Sequence, residues 1–156
     1  CPIRVMVRPH SRSFVYNEKD LDEMKKTINL CKEHNFDGVV FGCLDENREL
    51  DIKKIKYLTD ISKPLKVIIH KAIDLTSSPL NSLKQLIEIK QINGVLSSGG
   101  ADNAELGLDN LKKMIASSPN EFEIISAGKI TNENLDHLHE KIQGKFYHGK
   151  KIVGKL

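Results

Sequence analysis

His70 and Asp74 stand at the polar end of an apolar run, Val67-Ile68-Ile69-His70-Lys71-Ala72-Ile73-Asp74. If a strand over residues 66–73 runs straight on to 74, the two share parity and their side chains leave the sheet on one face. A histidine oriented by a carboxylate is an acid–base unit. The alternative is a histidine bonded to a neighbouring loop, with Asp74 capping the turn before Ser78-Pro79. Two further runs share the design: Gly94-Val95-Leu96-Ser97-Ser98-Gly99-Gly100 and Glu123-Ile124-Ile125-Ser126-Ala127-Gly128-Lys129. Ser98, Gly99 and Gly100, with Gly128, can present backbone N–H groups to a phosphate or carboxylate. The alternative is a pair of tight strand-to-helix turns that need glycine for backbone reasons. Arg8 ends the first apolar stretch just before Pro9, where it can hold an anionic ligand or tie its loop to a neighbour by an ion pair.

A copper site would want soft thiolate or thioether ligands. Cys43, at the C-terminal end of an apolar run over residues 38–43, is the candidate, on the expectation that it faces the mouth of the site. Cys31 falls on the apolar face of a predicted helix and reads as core. Cys1 belongs to the opposite end of the sheet, so no two cysteines share a site. His137 and His139, two apart on a helix, diverge by about 200° and do not chelate together. Gly128-Lys129 is no P-loop, because Ile130 stands where Ser or Thr must hold magnesium. No Gly-x-Ser-x-Gly elbow is present.

These elements must be positioned by a fold that the hydrophobic pattern makes legible. Strands are expected over residues 1–8, 38–43, 66–73, 94–98, 122–127 and 146–148, as near-continuous apolar runs suited to burial on both faces. Helical spacing joins them: Leu21, Met24, Ile28 and Cys31; Ile52, Ile55 and Leu58; Leu80, Leu83, Leu86 and Ile87 behind Ser78-Pro79; Leu108, Leu111 and Ile115; Leu135, Leu138 and Ile142 behind Thr131 as cap. The β-α alternation predicts one α/β domain over residues 1–156 with a parallel sheet and right-handed crossovers. An open doubly wound sheet and part of a (β/α)8 barrel both fit. The absence of Gly-x-Gly-x-x-Gly after the first strand weakens the dinucleotide-binding version. Ligands then belong at the carboxyl ends of the strands.

Bulk properties narrow the partners. The 156 residues carry a net charge of +3 and only 5% aromatic residues, with lysines spread among carboxylates, so nucleic acid is not expected. No apolar run reaches the roughly 18 residues of a membrane span. Residues 1–12 lack the pattern of a signal peptide, and three cysteines suit reduced thiols, so a cytoplasmic location is expected.

Met6-Val7-Arg8-Pro9 followed by Phe14-Val15-Tyr16 resembles the CutC copper-homeostasis family. The resemblance continues through Gly38-Val39-Val40-Phe41-Gly42-Cys43-Leu44-Asp45 and Asp51-Ile52. It is strongest at His70-Lys71-Ala72-Ile73-Asp74, and runs on through Ser97-Ser98-Gly99-Gly100, Ala127-Gly128 and Asn132-Glu133-Asn134-Leu135. It implies a TIM barrel whose strands three to eight are the six seen here, the first two strand-helix units and the last helix being missing. It also implies a cytoplasmic homo-oligomer tied to copper homeostasis and copper binding. Two positions depart from the family pattern. Lys71 stands where arginine is usual, and Gly149-Lys150-Lys151 follows His148 where small residues are usual. A rival reading is a TIM-barrel enzyme on a small anionic, even phosphorylated, metabolite. There Arg8 binds the anion, His70 moves a proton, Asp74 orients it, and Ser98 to Gly100 with Gly128 hold the phosphate. A third is a non-catalytic scaffold. Six strands leave two unpaired edges, which favour self-association.

Overall fold

The structure is a computed structural model and describes residues 2–153, so the expected strand start at Cys1 lies outside the described residues. Six strands run in sequence: β1 (Arg4–Met6), β2 (Gly38–Phe41), β3 (Lys66–Ile69), β4 (Ile92–Ser97), β5 (Glu123–Ala127) and β6 (Phe146–His148). Between them lie α1 (Glu18–Glu33), α2 (Ile52–Ser62), α3 (Pro79–Ile87), α4 (Leu108–Ser117) and α5 (Leu135–Ile142). Every neighbouring pair is parallel, and the spatial order is the chain order, β1 to β6. A doubly wound sheet reverses direction at a switch point. Sequential order removes that alternative and leaves the singly wound arrangement of a partial barrel.

Helix starts follow local chemistry. Asn17 and Asp20 form a reciprocal capping box at α1, and Ser78 caps α3 with Pro79 in its first turn. Thr131 does not cap α5. Asn134 holds that place and turns its side chain back to the Thr131 N–H, so the helix begins at Leu135.

The helix-facing side of the sheet carries Val39, Phe41, Val67, Ile69 and Val95. They pack with Met24 and Ile28 of α1, Ile55 and Leu58 of α2, Leu83 and Leu86 of α3 and Met114 of α4. A smaller cluster joins Leu111, Ile130, Leu138 and Ile142. The other face is concave. Arg4 on β1 donates to both carboxylate oxygens of Glu123 on β5, at 2.5 and 2.8 Å. Four strand spacings in a flat sheet span about 19 Å, beyond the reach of those side chains, so the pair meets only because the sheet curls. Among the described residues, no helix is long and apolar enough to cross a membrane.

The third strand is shorter than its apolar run. It stops at Ile69, and Lys71–Leu75 form a 3-10 turn. His70 is the cap of that turn, its ring Nδ1 accepting the Ala72 N–H at 3.1 Å. The apolar residues that seemed to prolong the strand, Ala72 and Ile73, are buried inside the turn instead.

The Arg4–Glu123 pair is expected to hold the curl. Arg4→Met should lower unfolding free energy by about 2 kcal/mol, the scale of a lost charged hydrogen bond, with Glu123→Gln alone costing less, as read from urea midpoints.

Candidate functional site

The concave face encloses an open groove of about 1410 Å³. Its floor is apolar, with Met6, Val40, Ile68, Leu96 and Ile125, one from each of β1 to β5. Among the described residues, seven lysines and arginines line it against a single carboxylate, Glu123, which Arg4 already holds. Arg8, His70 and Lys71 stand on the β1–β3 side of the C-terminal rim, while Gly128, Lys129, His148, Lys150 and Lys151 stand on the β5–β6 side.

The structure brings Arg8 and His70 together but separates His70 from Asp74. Parity does not carry past Ile69, so the premise that aligned them fails. Asp74 turns instead toward the loop after β4. Its Oδ1 accepts from the Ser97 hydroxyl at 2.5 Å and the Gly100 N–H at 2.9 Å. Its Oδ2 accepts from the Ser98 N–H at 2.9 Å and the Ser98 hydroxyl at 3.0 Å. The Gly99 N–H is also engaged, by the Ser97 hydroxyl at 2.9 Å. The amides of Ser98 and Gly100 form a small anion nest, with φ of +73° and +78° at Gly99 and Gly100. The anion they hold is the protein's own. Lys71 completes this knot, its ammonium donating to the Ser98 hydroxyl and lying 3.3 Å from Asp74.

His70 is only 4% exposed. With Nδ1 accepting a backbone N–H, the ring proton belongs on Nε2. That atom is buried without a hydrogen-bond partner, so the ring offers one unspent donor. Phe14, on the loop after β1, packs against the imidazole at 4.6 Å between centroids, and Arg8 lies over Phe14 at 4.4 Å. Arg8 is steadied by the His10 and Ser11 carbonyls at 3.0 Å each. On the other side Gly42 leaves no room to spare. A methyl there would stand 2.8 Å from two atoms of the His70 ring. Burial, with help from Arg8, pushes the imidazole down to about 4, so His70 is neutral near pH 7.

Cys43 does not face the mouth. It shares outward parity with Val39 and Phe41 and is fully buried in the helix-facing core. Burial, then Asp51, pushes its thiol up to about 12, which keeps it protonated. Cys31 is buried in the same core. Among the described residues, no three His, Cys, Asp or Glu side chains gather as a metal-binding group. Among the described residues, the groove lining offers the imidazoles of His70 and His148 and no thiol. The loop residues Phe14 and Lys150 and the cross-groove pair Arg4–Glu123 were not singled out from sequence as site residues. The signal for Lys150 lay in Gly149-Lys150-Lys151, which follows His148 where the family pattern has small residues.

Comparison with known proteins gives one consistent family. A model described as CutC family matches residues 1–153. A CutC family protein of Parabacteroides distasonis is 30% identical over 146 residues, covering 94% of this chain and 60% of that protein. The human copper homeostasis protein cutC homolog is 33% identical over 139 residues, covering 89% of this chain and 50% of that protein. The crystal structure of CutC from Streptococcus agalactiae superposes with a TM-score of 0.90 at 27% identity, over 97% of this chain and 73% of that one. The chain thus spans between half and three-fifths of the length of these two curated relatives.

Two outcomes follow from the internal contacts. Asp74→Ala should cost about 2–4 kcal/mol by orphaning the β4-loop donors, and added formate should restore part of the lost melting temperature by re-occupying the nest. A folded-state imidazole near 4 against 6.5 unfolded means the unfolded chain binds the extra proton between those values. Stability from His70 is therefore present above pH 6.5 and lost toward pH 4, by about 3 kcal/mol. His70→Gln should flatten that part of the urea-derived stability profile.

Proposed function

This chain belongs to the CutC family, and from that premise we propose that its concave face binds a small anionic ligand with an apolar body. The family includes copper homeostasis proteins. The observation that carries the reading is the charge imbalance of the groove: among the described residues seven cations line it against one carboxylate, and with Arg4 held by Glu123 and Lys71 by Asp74, five have no ion pair. A basic cleft over an apolar floor concentrates anions and gives their carbon skeleton a surface to cover. In this reading Arg8 supplies charge at the rim, and Lys71, held against Asp74, stands beside it as a further donor. The neutral His70 ring donates its Nε2 proton to a ligand oxygen once the Phe14 ring swings aside, a donor role rather than the acid–base exchange that a pairing with Asp74 would serve. Any contribution to copper balance is then made through this ligand rather than through a thiolate-bound ion within residues 2–153.

The test is calorimetric titration against a panel of phosphorylated and carboxylated metabolites. One anion should bind, and Arg8→Ala or His70→Gln should each weaken it by about tenfold or more, the cost of one charged or buried hydrogen bond. Stoichiometric Cu(I) binding that Cys43→Ser abolishes, with no anion bound, would overturn the reading.

A further inference from the structure

The two edges of the groove's late half repeat one dipeptide. Gly128-Lys129 follows Ala127 at the end of β5, and Gly149-Lys150 follows His148 at the end of β6. Ala127 is paired with His148 in the parallel ladder, so the Gly–Lys steps begin at one level on adjacent strands. Beyond them Thr131 bridges Lys151, and the Asn132 N–H donates to the Lys151 carbonyl at 3.0 Å. The two loops are thus zipped together. They touch at Gly149, where a Cβ would stand 1.9 Å from the Ile130 carbonyl oxygen.

Lys129, Lys150 and Lys151 all line the groove, and all three are exposed. Among the described residues none forms an ion pair, whereas Arg4, Lys54, Lys63 and Lys71 each meet a carboxylate. Three like charges on two adjoining loops repel one another, and no carboxylate among the described residues pairs with them. In parallel α/β barrels the ends of late strands are the usual place for a phosphate. The Ser98–Gly100 nest is spent on Asp74, so it does not compete for that role.

We propose that the paired Gly–Lys ends of β5 and β6 hold the phosphate of a phosphomonoester, with Lys129 and Lys150 as its principal cations and Lys151 beside them. This rests on the anion-binding reading above and adds to it the chemical class of the anion and the corner that takes it. The ligand body then lies along Ile125 and Leu96 toward His70 and Arg8.

The probes are inorganic phosphate and methyl phosphate, followed by 31P NMR line broadening and calorimetry on the full chain, with acetate as the carboxylate comparison. Lys129 has φ of +56°, a conformation glycine adopts freely, so Lys129→Gly removes the charge while keeping the turn. The variant Lys129→Gly/Lys150→Ala should weaken both phosphates by at least about tenfold, and Lys150→Glu should abolish binding, with unchanged circular dichroism. Lys112→Ala/Lys113→Ala removes the same charge from α4, outside the groove, and should leave affinity within about twofold, since surface charges beyond a Debye length are screened. Equal weakening by that control pair would overturn the inference. So would phosphate binding that survives the Gly–Lys variant but is lost in Arg8→Ala, a result that leaves the groove an anion site. Wild-type binding to acetate but not to either phosphate overturns the inference alone, and binding to no anion at all overturns both readings.

Discussion

The governing constraint is that every helix falls on the same side of the sheet. Sequential strand order with crossovers of one hand cannot do otherwise. One face therefore gains a continuous apolar core, and the other must be hidden by curvature. Without that bend, the backbone of β1 and β5 would stand too far apart for the Arg4 guanidinium to meet the Glu123 carboxylate. Because the face bends inward, residues of six different strands converge on one groove. The convergence is a property of the winding, and the particular side chains decide only what the groove attracts.

Asp74 shows how a feature with the look of a ligand site can serve the fold. The Ser98–Gly100 loop has the left-handed glycines and aligned amides that cradle anions elsewhere. Here a carboxylate from the preceding turn fills the cradle and fastens β3 to β4 beyond their ladder. The same carboxylate and the Ser98 hydroxyl then fix Lys71 at the edge of the groove. The β5 and β6 ends differ in that, among the described residues, Lys129, Lys150 and Lys151 meet no carboxylate.

Much of the architecture is legible from single residues. Apolar runs and helical spacing mark all six strands and five helices, and Ser78-Pro79 locates the start of α3. What escapes is the point where one period yields to another. Ala72 and Ile73 are as apolar as a strand, so only the backbone bond to the His70 ring reveals the turn. Cys43 misleads in a different way, since its place at a strand's end says nothing about which face it takes, whereas its parity with Phe41 does. The partnership of Asp74 with the Ser98–Gly100 loop spans up to 26 residues, and that of Arg4 with Glu123 spans 119. Such pairings follow from strand order in space, which one sequence leaves open. The family resemblance supplied the barrel, but the expected alignment of His70 with Asp74 depended on a strand that ends early.

The contact between Gly42 and the His70 ring couples two positions 28 residues apart through volume alone. A hydrogen in place of a methyl is what lets an imidazole sit so deep and stay uncharged. The two sites therefore trade size as a unit: any larger residue at 42 must evict the ring or shrink it, and a small polar residue at 70 would free 42 to grow. Glycine at 42 is in that sense the silent half of the histidine, since the ring keeps its place only while 42 carries no side chain.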